Sequence, residues 1–502
     1  MLVEQILSAV GVIFEPYSLL LLAAGVALGI LFGAIPGLTA TMGVALLIPL
    51  TFVLEPAAGI VMLVGIYCGG IYGGSISAVL VSIPGTPSGM MTTLDGYPMG
   101  QRGEAGKAIG YATISSFIGG IISAIILIFA APYLAKIALQ FGPVEYFAIA
   151  VFGLSIISSV SGDSFVKGMI SGVIGMMVTV VGMDYVTSTP RFTFGTVALL
   201  AGFTFIPTMI GLFGMREFLL QVGTENYKYQ VEQKVDKVIP SLSEIRKLMS
   251  ITIRGGLLGT FVGALPGAGG PIASFISYDS ARKSSKHPEK FGTGIPEGIA
   301  ASESANNGVT GGALIPMLTL GVPGDGVTAV MLGAFMVHNL RPGPMLFQNN
   351  ADLVFAIYIG LILANVLMLI FGLMGAKLFA RILNLPMEIL LPFISVLTIV
   401  GSYAIRNNPV DIAIMIGFGL LGYLMSELKL PAIPMVLGIV LGPMAEANLR
   451  GALLISKGSW LIFLTEPISL ILLILTVVLG AWPFLSGALR KKQELEGNTT
   501  SE

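Results

Sequence analysis

The chain is poor in most of what a soluble enzyme uses. Among 502 residues there is one cysteine, Cys68, with two histidines and two tryptophans, and only 11% of residues are charged. Soluble domains carry about 25% charged residues. A single cysteine excludes an internal disulfide and a cysteine metal cluster. Packing as a small buried apolar residue is its expected role. His287 and His338 have no metal-ligand companions, so each is assigned a structural role. The net charge of −1 gives no reason to expect nucleic acid as a partner. No Gly-x-x-x-x-Gly-Lys-Ser/Thr loop is present, so ATP hydrolysis on such a loop is not expected. No Lys or Arg precedes Arg102. The first apolar stretch thus lacks the basic flank of a cleavable signal, and the mature protein is expected to keep its first helix.

What is present points to a membrane. Hydrophobic residues make up 55% of the chain, with 65 Gly, 28 Pro and 24 Met, and the mean hydropathy is +0.91. Gly and Pro are commoner in membrane helices than in soluble ones, because neighbouring helices re-satisfy the freed backbone groups. The fold class expected is an all-α polytopic integral membrane protein. Apolar stretches of spanning length fall near 17–35, 57–82, 108–131, 145–161, 164–183 and 193–215. A second series falls near 255–277, 299–321, 353–380, 387–404, 409–426 and 430–447, and a last one near 460–485. Residues 38–54 form a further crossing or a re-entrant piece.

Two phrases about 230 residues apart are nearly the same: Gly33-Ala34-Ile35-Pro36-Gly37-Leu38 and Gly263-Ala264-Leu265-Pro266-Gly267-Ala268. Each ends an apolar run with Pro-Gly. Proline removes an amide donor and glycine loosens the backbone, so both helices should break there. The correspondence continues. Pro84-Gly85 matches Pro323-Gly324 and Arg102 matches Arg341, at an offset of 239; Pro143 and Glu145 match Pro386 and Glu388; Gly202 and Pro207 match Gly438 and Pro443. The jump from 230 to 239 is an insertion, placed at the polar run Ser280–Glu289.

Charge sets the orientation. The interval Arg216–Arg254 holds seven basic residues against five acids, and Arg490-Lys491-Lys492 lies near the C-terminus. Both are expected in the cytoplasm, and the base-free N-terminal arm outside. The first half then crosses an odd number of times. Its copy is inverted, and one extra C-terminal helix returns the chain inside. The expected organisation is a first repeat over 15–222, a cytoplasmic linker over 223–244 and a second repeat over 245–458. An extra helix over 459–486 and a cytoplasmic tail over 487–502 complete it. Matching broken helices in two halves are the sequence mark of a transporter binding site.

Four breaks carry the candidate chemistry: Pro36-Gly37, Pro84-Gly85-Thr86-Pro87, Pro266-Gly267 with Ala268-Gly269-Gly270, and Pro323-Gly324-Asp325-Gly326. Each leaves helix-end amides and carbonyls unpaired, which is tolerable only beside a cavity or buried protein. The amides at the start of the following half-helix can hold carboxylate oxygens. Hydroxyls at Thr39, Thr86, Ser88 and Thr328 add donors. Asn306 and Asn307 offer donors and acceptors. These residues with the Pro-Gly pairs form the candidate substrate site. Exposed carbonyls and the side chains of Thr41, Ser302, Glu303, Asn306 and Asp325 form the candidate ion site. Ser302–Asn307 is the most polar stretch inside an apolar segment, and Glu303 and Asn307, four apart, share one helical face. The competing readings are a plain kink at each Pro-Gly and an interfacial turn at Ser302–Asn307. Asp95-Gly96-Tyr97-Pro98 reads as a turn. Small-residue runs such as Gly69–Ser75 and Gly311-Gly312 suit close helix packing.

At these residues the chain resembles the large membrane subunit of the tripartite tricarboxylate transporter family. The likeness lies in Gly33–Leu38, Tyr72–Ser75, Pro84-Gly85-Thr86, Asp95–Pro98, Gly263–Gly270, Tyr278-Asp279, Phe291-Gly292 and Glu297-Gly298. Glu303 with Asn306-Asn307, Gly311-Gly312 and Leu320–Asp325 extend it over nearly the whole chain. The resemblance implies a multi-pass carrier of the bacterial inner membrane that imports carboxylates, with citrate or a dicarboxylate as cargo. It implies a small membrane subunit and a periplasmic substrate-binding protein as partners. It implies drive by an ion gradient, commonly sodium, by an elevator-like movement, with no cofactor and no enzymatic activity. Two rivals come from other classes. An ion channel or exchanger without organic substrate is the alternative. An intramembrane aspartyl protease is suggested by Tyr278-Asp279 and Gly324-Asp325. Val322 breaks the Gly-x-Gly-Asp form the latter requires.

Overall fold

The structure, a computed structural model, describes residues 2–155, 164–184, 187–222, 235, 237–383 and 387–478. Most of the linker expected over 223–244, the basic Arg490–Lys492 tail and Pro386 lie outside these residues, as does the side chain of Glu388. Nearly every described residue in regular structure is helical. The one strand pair is a two-residue ladder, Gly182–Met183 with Pro190–Arg191. The main helices of the first half are α1 (Leu2–Ile13), α2 (Pro16–Ala34), α3 (Ala40–Thr51), α4 (Pro56–Val81), α5 (Met90–Met99), α6 (Ala105–Ala138), α7 (Pro143–Ser155), α8 (Phe165–Thr179) and α9 (Phe205–Val222). Those of the second half are α10 (Leu242–Gly263), α11 (Gly269–Ser284), α12 (Pro296–Leu320), α13 (Gly326–Val337), α14 (Ala351–Met374), α15 (Met387–Ala404), α16 (Pro409–Glu427) and α17 (Ala432–Ile455). A last helix, α18, runs over Pro467–Val478.

The second half repeats the first element for element, α10–α17 after α2–α9. Helix packing repeats with it. Gly25, Gly29 and Gly33 of α2 lie against the carbonyl oxygens of Met62, Ile66 and Gly70 on α4. Gly255, Gly259 and Gly263 of α10 lie against those of Ala301, Ala305 and Val309 on α12. The partners rise in step, so α2 and α4 run parallel, as do α10 and α12. The connecting helices α3 and α11 must therefore run back along them. α3 has 12 residues, about 18 Å at 1.5 Å per residue, too short for a hydrocarbon core of about 30 Å.

The same pairings give the relative direction of the halves. α14 meets α4 at Gly360–Val61 and Gly372–Tyr72, in rising order. α6 meets α12 at Ser116–Glu303 and Gly311–Ser123, also rising. Yet α6 and α14 meet at Gly120–Asn365 and Thr113–Gly372, in opposite order. Hence α6 runs with α12, α14 runs with α4, and α6 opposes α14. Equivalent helices of the two halves point in opposite directions, which is an inverted repeat.

The fold is an all-α polytopic membrane protein. Among the described residues seven segments are long and apolar enough to cross a bilayer. Two spans and one turn differ from expectation. Residues 193–204 hold one short 3-10 turn, Val197–Leu199, and positive φ at Phe194, Gly195 and Gly202, and the α-helix begins only at Phe205. The stretch 255–277 is divided by its Pro-Gly, and α10 starts earlier, at a capping box of Ser241 and Glu244. Asp95–Pro98 is not a turn but the second half of α5.

The chain divides into two compact units, Met1–Leu139 with Thr204–Leu424, and Gln140–Phe203 with Met425–Glu502. Each draws on both halves. In the second unit α8 packs on α17 through Gly172, Gly175 and Gly438. The equivalent pair, α16 and α9, packs in the first unit through Gly211 and Gly419. Also in the second unit, Arg191 and Arg450 each bridge Asp184 and Glu446, tying the small hairpin to α17.

One device belongs to the second half alone. The extra residues lie in the last turn of α11 and in the loop before α12, and that loop is held by the first half. Asp95 Oδ1 accepts from the amides of Gly292, Gly294 and Ile295 at 2.8–3.0 Å, and Oδ2 from the Tyr278 hydroxyl at 2.8 Å. The Arg102 guanidinium donates to the carbonyls of Thr293 and Gly294. Asp95→Ala would leave three amides and a phenol without their acceptor. We expect a loss of roughly 3–5 kcal/mol, read as a lowered thermal midpoint in detergent. An unchanged midpoint would contradict the clamp.

Candidate functional site

All four breaks lie in the first unit, and each touches the next. Gly85 of the second break packs on the carbonyl oxygen of Gly33, at the end of α2 where the first break begins. Gly324 of the fourth packs on the carbonyl of Gly263 in the same way, and the amide of Gly267 donates to the carbonyl of Gly324 at 2.7 Å. Gly270, in the first turn of α11, lies against Ser88 of the second break. Pro266, Pro323, Thr86, Ser88 and Thr328 are buried; Pro84 and Thr39 are half-buried and Gly37 is exposed.

The helix starts at these breaks are not alike. At α3, Thr39 is the N-cap and its hydroxyl accepts from the amide of Met42 at 3.2 Å. At α13, Asp325 is the N-cap. Its Oδ1 accepts from the amide of Thr328 at 2.8 Å, and its Oδ2 from the hydroxyl of Tyr67 on α4 at 2.5 Å. At α11 the N-cap is Ala268, which has no capping group. The first amides of a helix have no intrahelical acceptor. The start after the second break, at Thr86, likewise has no side-chain cap. Against the start of α11 lies Asn306, fully buried at mid-length of α12. Its Nδ2 donates to the carbonyl of Ile71 at 3.3 Å, and its Oδ1 is buried with no partner. A β-carbon placed on Gly270 would lie 2.7 Å from Ser88 Cβ and 2.8 Å from Asn306 Oδ1. Ser88 and Thr86 hydroxyls are 3.1 Å apart. Thr86, Ser88, Asn306 and the start of α11 thus form one buried polar cluster.

Ser302, Glu303 and Asn307 lie one face round α12, in a helix and not in an interfacial turn. The Glu303 carboxylate accepts from Thr92 of α5 and, at 2.9 Å, from Ser116 of α6. Asn307 Nδ2 donates to the same Ser116 hydroxyl at 2.7 Å, and its Oδ1 is buried without a partner. Ser302 and Thr92 hydroxyls are 3.0 Å apart. Neither Glu303 nor Asp325 has a basic partner among the described residues. Both are fully or almost fully buried, so hydroxyls and amides must carry their polarity. Thr41 lies in the first turn of α3, half-buried. The structure thus places the breaks, Thr86, Ser88 and Asn306 together, and sets Ser302, Glu303 and Asn307 beside them on the α5–α6 side.

Several residues at these places carry no sequence mark of their own. Thr92, Ser116 and Tyr67 hold the two buried acids. Ser274, buried on α11, has an unpartnered hydroxyl. Glu217 and Gln221 of α9 stand at the first break: a β-carbon on Gly37 would lie 2.8 Å from Glu217 Oε1 and 2.9 Å from Gln221 Nε2. Of these, only Tyr67 could have been found from the repeat, since it lies 239 residues before Asn306.

An inverted repeat whose broken helices meet around buried polar groups defines a membrane protein of the transporter class. The family model described as "Tripartite tricarboxylate transporter TctA family" matches residues 19–437, and the chain belongs to that family. It is 38% identical over 458 residues, 91% of each chain, to an uncharacterized 52.8 kDa protein in the TAR-I ttuC' 3' region of Agrobacterium vitis. It is 39% identical over 220 residues to an uncharacterized protein in the TAR-II ttuC' 3' region of the same organism, 44% of this chain and 91% of the relative. No solved structure matches it.

Proposed function

We propose that this chain is the large membrane subunit of a binding-protein-dependent secondary transporter that imports carboxylates, tricarboxylates such as citrate or dicarboxylates, into bacteria. The carrying observation is the meeting of four helix breaks, two of them followed by helix starts without a side-chain cap, with Asn306 buried and half-satisfied beside them. Helix-start amides suit carboxylate oxygens, and carbonyl and amide oxygens suit a cation. The reading includes a small membrane subunit and a periplasmic binding protein as partners. It places the chain in the inner membrane, with the N-terminus periplasmic and the C-terminus cytoplasmic. Alternating access follows an elevator-like movement of the hairpins that carry the breaks. An ion channel or exchanger remains the second reading; a site with no use for an organic anion would favour it.

Energetics supports an ion partner. An inside-negative membrane opposes entry of an anion, at about 2.3 kcal/mol per net charge per 100 mV. Among the described residues no basic side chain bonds to Thr86, Ser88, Asn306 or Glu303, so co-transported cations are the natural offset. Sodium is the expected ion and protons the alternative. Vesicles containing this chain, the small subunit and the binding protein should take up labelled carboxylate with an inward sodium gradient. Uptake should fall to background when choline replaces sodium at fixed pH and potential. Full uptake in choline would remove sodium from the mechanism, and no uptake of any carboxylate would remove the carrier reading itself.

A further inference from the structure

The register of the repeat pairs two residues that do different things. Tyr67 on α4 and Asn306 on α12 are equivalent at the offset of 239, and so are Thr86 and Asp325. The glycine contacts confirm this register. Gly69 and Gly73 of α4 lie on the carbonyls of Val26 and Ile30, while Gly308 and Gly312 of α12, at the same offset, lie on those of Gly256 and Thr260. Gly85 and Gly324 likewise lie on Gly33 and Gly263. In the second half this place is filled by a carboxylate, whereas in the first half the equivalent helix start has no side-chain cap and the Gly89 amide donates to the Thr86 carbonyl. At the start of α13 a carboxylate, that of Asp325, sits on the amide of Thr328 and receives the hydroxyl proton of Tyr67. At the equivalent place the first half has the short side chain of Thr86, with Ser88 next to it. In place of the Tyr67 hydroxyl it has Asn306, whose buried oxygen has no donor.

We propose that the polar cluster of Thr86, Ser88 and Asn306 takes one carboxylate of the substrate together with the coupling cation, in the arrangement that Asp325 and Tyr67 hold permanently in the other half. The substrate carboxylate takes the part of the Asp325 carboxylate, on the Thr86 and Ser88 hydroxyls and the first amides of α11. The cation takes the part of the Tyr67 proton, between that carboxylate and Asn306 Oδ1. An acceptor oxygen facing a carboxylate is unfavourable without a positive charge between them. Neither ligand then fits well alone, and each tightens the other by the same factor. Asp325, expected from sequence as an ion ligand, is on this reading the permanent counterpart of the substrate. The proposal rests on the carboxylate-carrier reading and adds the place and the shared ion.

Thr86→Asp supplies the missing carboxylate from the chain. Thermal midpoints in detergent are measured for the wild type and the variant with sodium, with citrate or succinate, and with both. The wild type should be stabilised fully only by sodium and carboxylate together. The variant should respond to sodium alone, with carboxylate adding nothing and its binding weakened by about 100-fold or more. Ser88→Asp places the carboxylate one hydroxyl away and should show the same exchange of requirement, so a misfolded Thr86→Asp does not end the test. A folded variant that still needs the added carboxylate, or ignores sodium, overturns the proposal. Uptake by wild-type vesicles is measured in parallel. Wild-type uptake with an unaltered variant response defeats only the location, whereas no wild-type uptake defeats the carrier reading beneath it.

Discussion

Gly259→Val is expected to abolish accumulation of folded protein. Any β-carbon at Gly259 meets the carbonyl oxygen, carbonyl carbon and α-carbon of Ala305, all backbone. A flexible side chain could give way; a helix backbone in register at three successive turns cannot. Overpacking of ordinary cores costs about 1–3 kcal/mol. Here the clash spreads along α10 and α12, and more than about 4 kcal/mol is expected. Gly29→Val, at the equivalent place on α2, should do the same. Gly417→Ala is the contrast, because nothing lies within 4 Å of its added carbon, and alanine in a helix is favoured over glycine by up to about 1 kcal/mol. Fluorescence-detected gel filtration of the three variants decides. A monodisperse, normally abundant Gly259→Val would refute the backbone contact.

Asn306→Ala and Asn307→Ala should lower carboxylate uptake by about 10-fold or more while leaving insertion and yield intact. Each removes one buried oxygen without a partner and one amide donor, to Ile71 in the first case and Ser116 in the second. The loss of a donor costs about 1 kcal/mol of stability, too little to unfold the protein. The lost oxygen acts only when ligand is bound, so the effect should appear in transport and in its dependence on sodium concentration. Wild-type uptake by both variants, across substrate and sodium concentrations, would take them out of the site.

Much of this architecture was legible in the sequence, for a physical reason. Pro-Gly inside an apolar run has one strong local consequence, and it appears at Pro36, Pro84, Pro266 and Pro323. The inverted order followed from charge counting and is visible in the opposed directions of α6 and α14. Composition misled where two structures share it. Asp95-Gly96-Tyr97-Pro98 has the residues of a turn, yet its carboxylate serves as acceptor for a loop about 200 positions later, and that tertiary bond overrides the local preference. The apolar stretch near 193–215 lost its first half because Gly195 and Gly202 take positive φ there. Thr92 and Ser116 were not legible at all. Hydroxyls on membrane helices are common, and what distinguishes these two is Glu303, 211 and 187 residues away. Glu217 was hidden by its neighbour Arg216, which made the end of α9 read as the start of the charged linker.

The glycine contacts of α2 with α4 and of α10 with α12 bear on how these pieces respond to heat and force. They set backbone against backbone. Such surfaces have no rotamers, so closing them gives up almost no side-chain freedom and opening them returns none. In hydrocarbon there is also no apolar burial to gain. What remains is dispersion and weak bonds from α-carbon hydrogens to carbonyl oxygens, short in range and steep in distance. A joint of this kind has no soft intermediate: warming does not loosen it by degrees, and a pull on one helix is felt at once by the other. Each pair behaves as a single strut of double width, with the polar breaks fixed at its end.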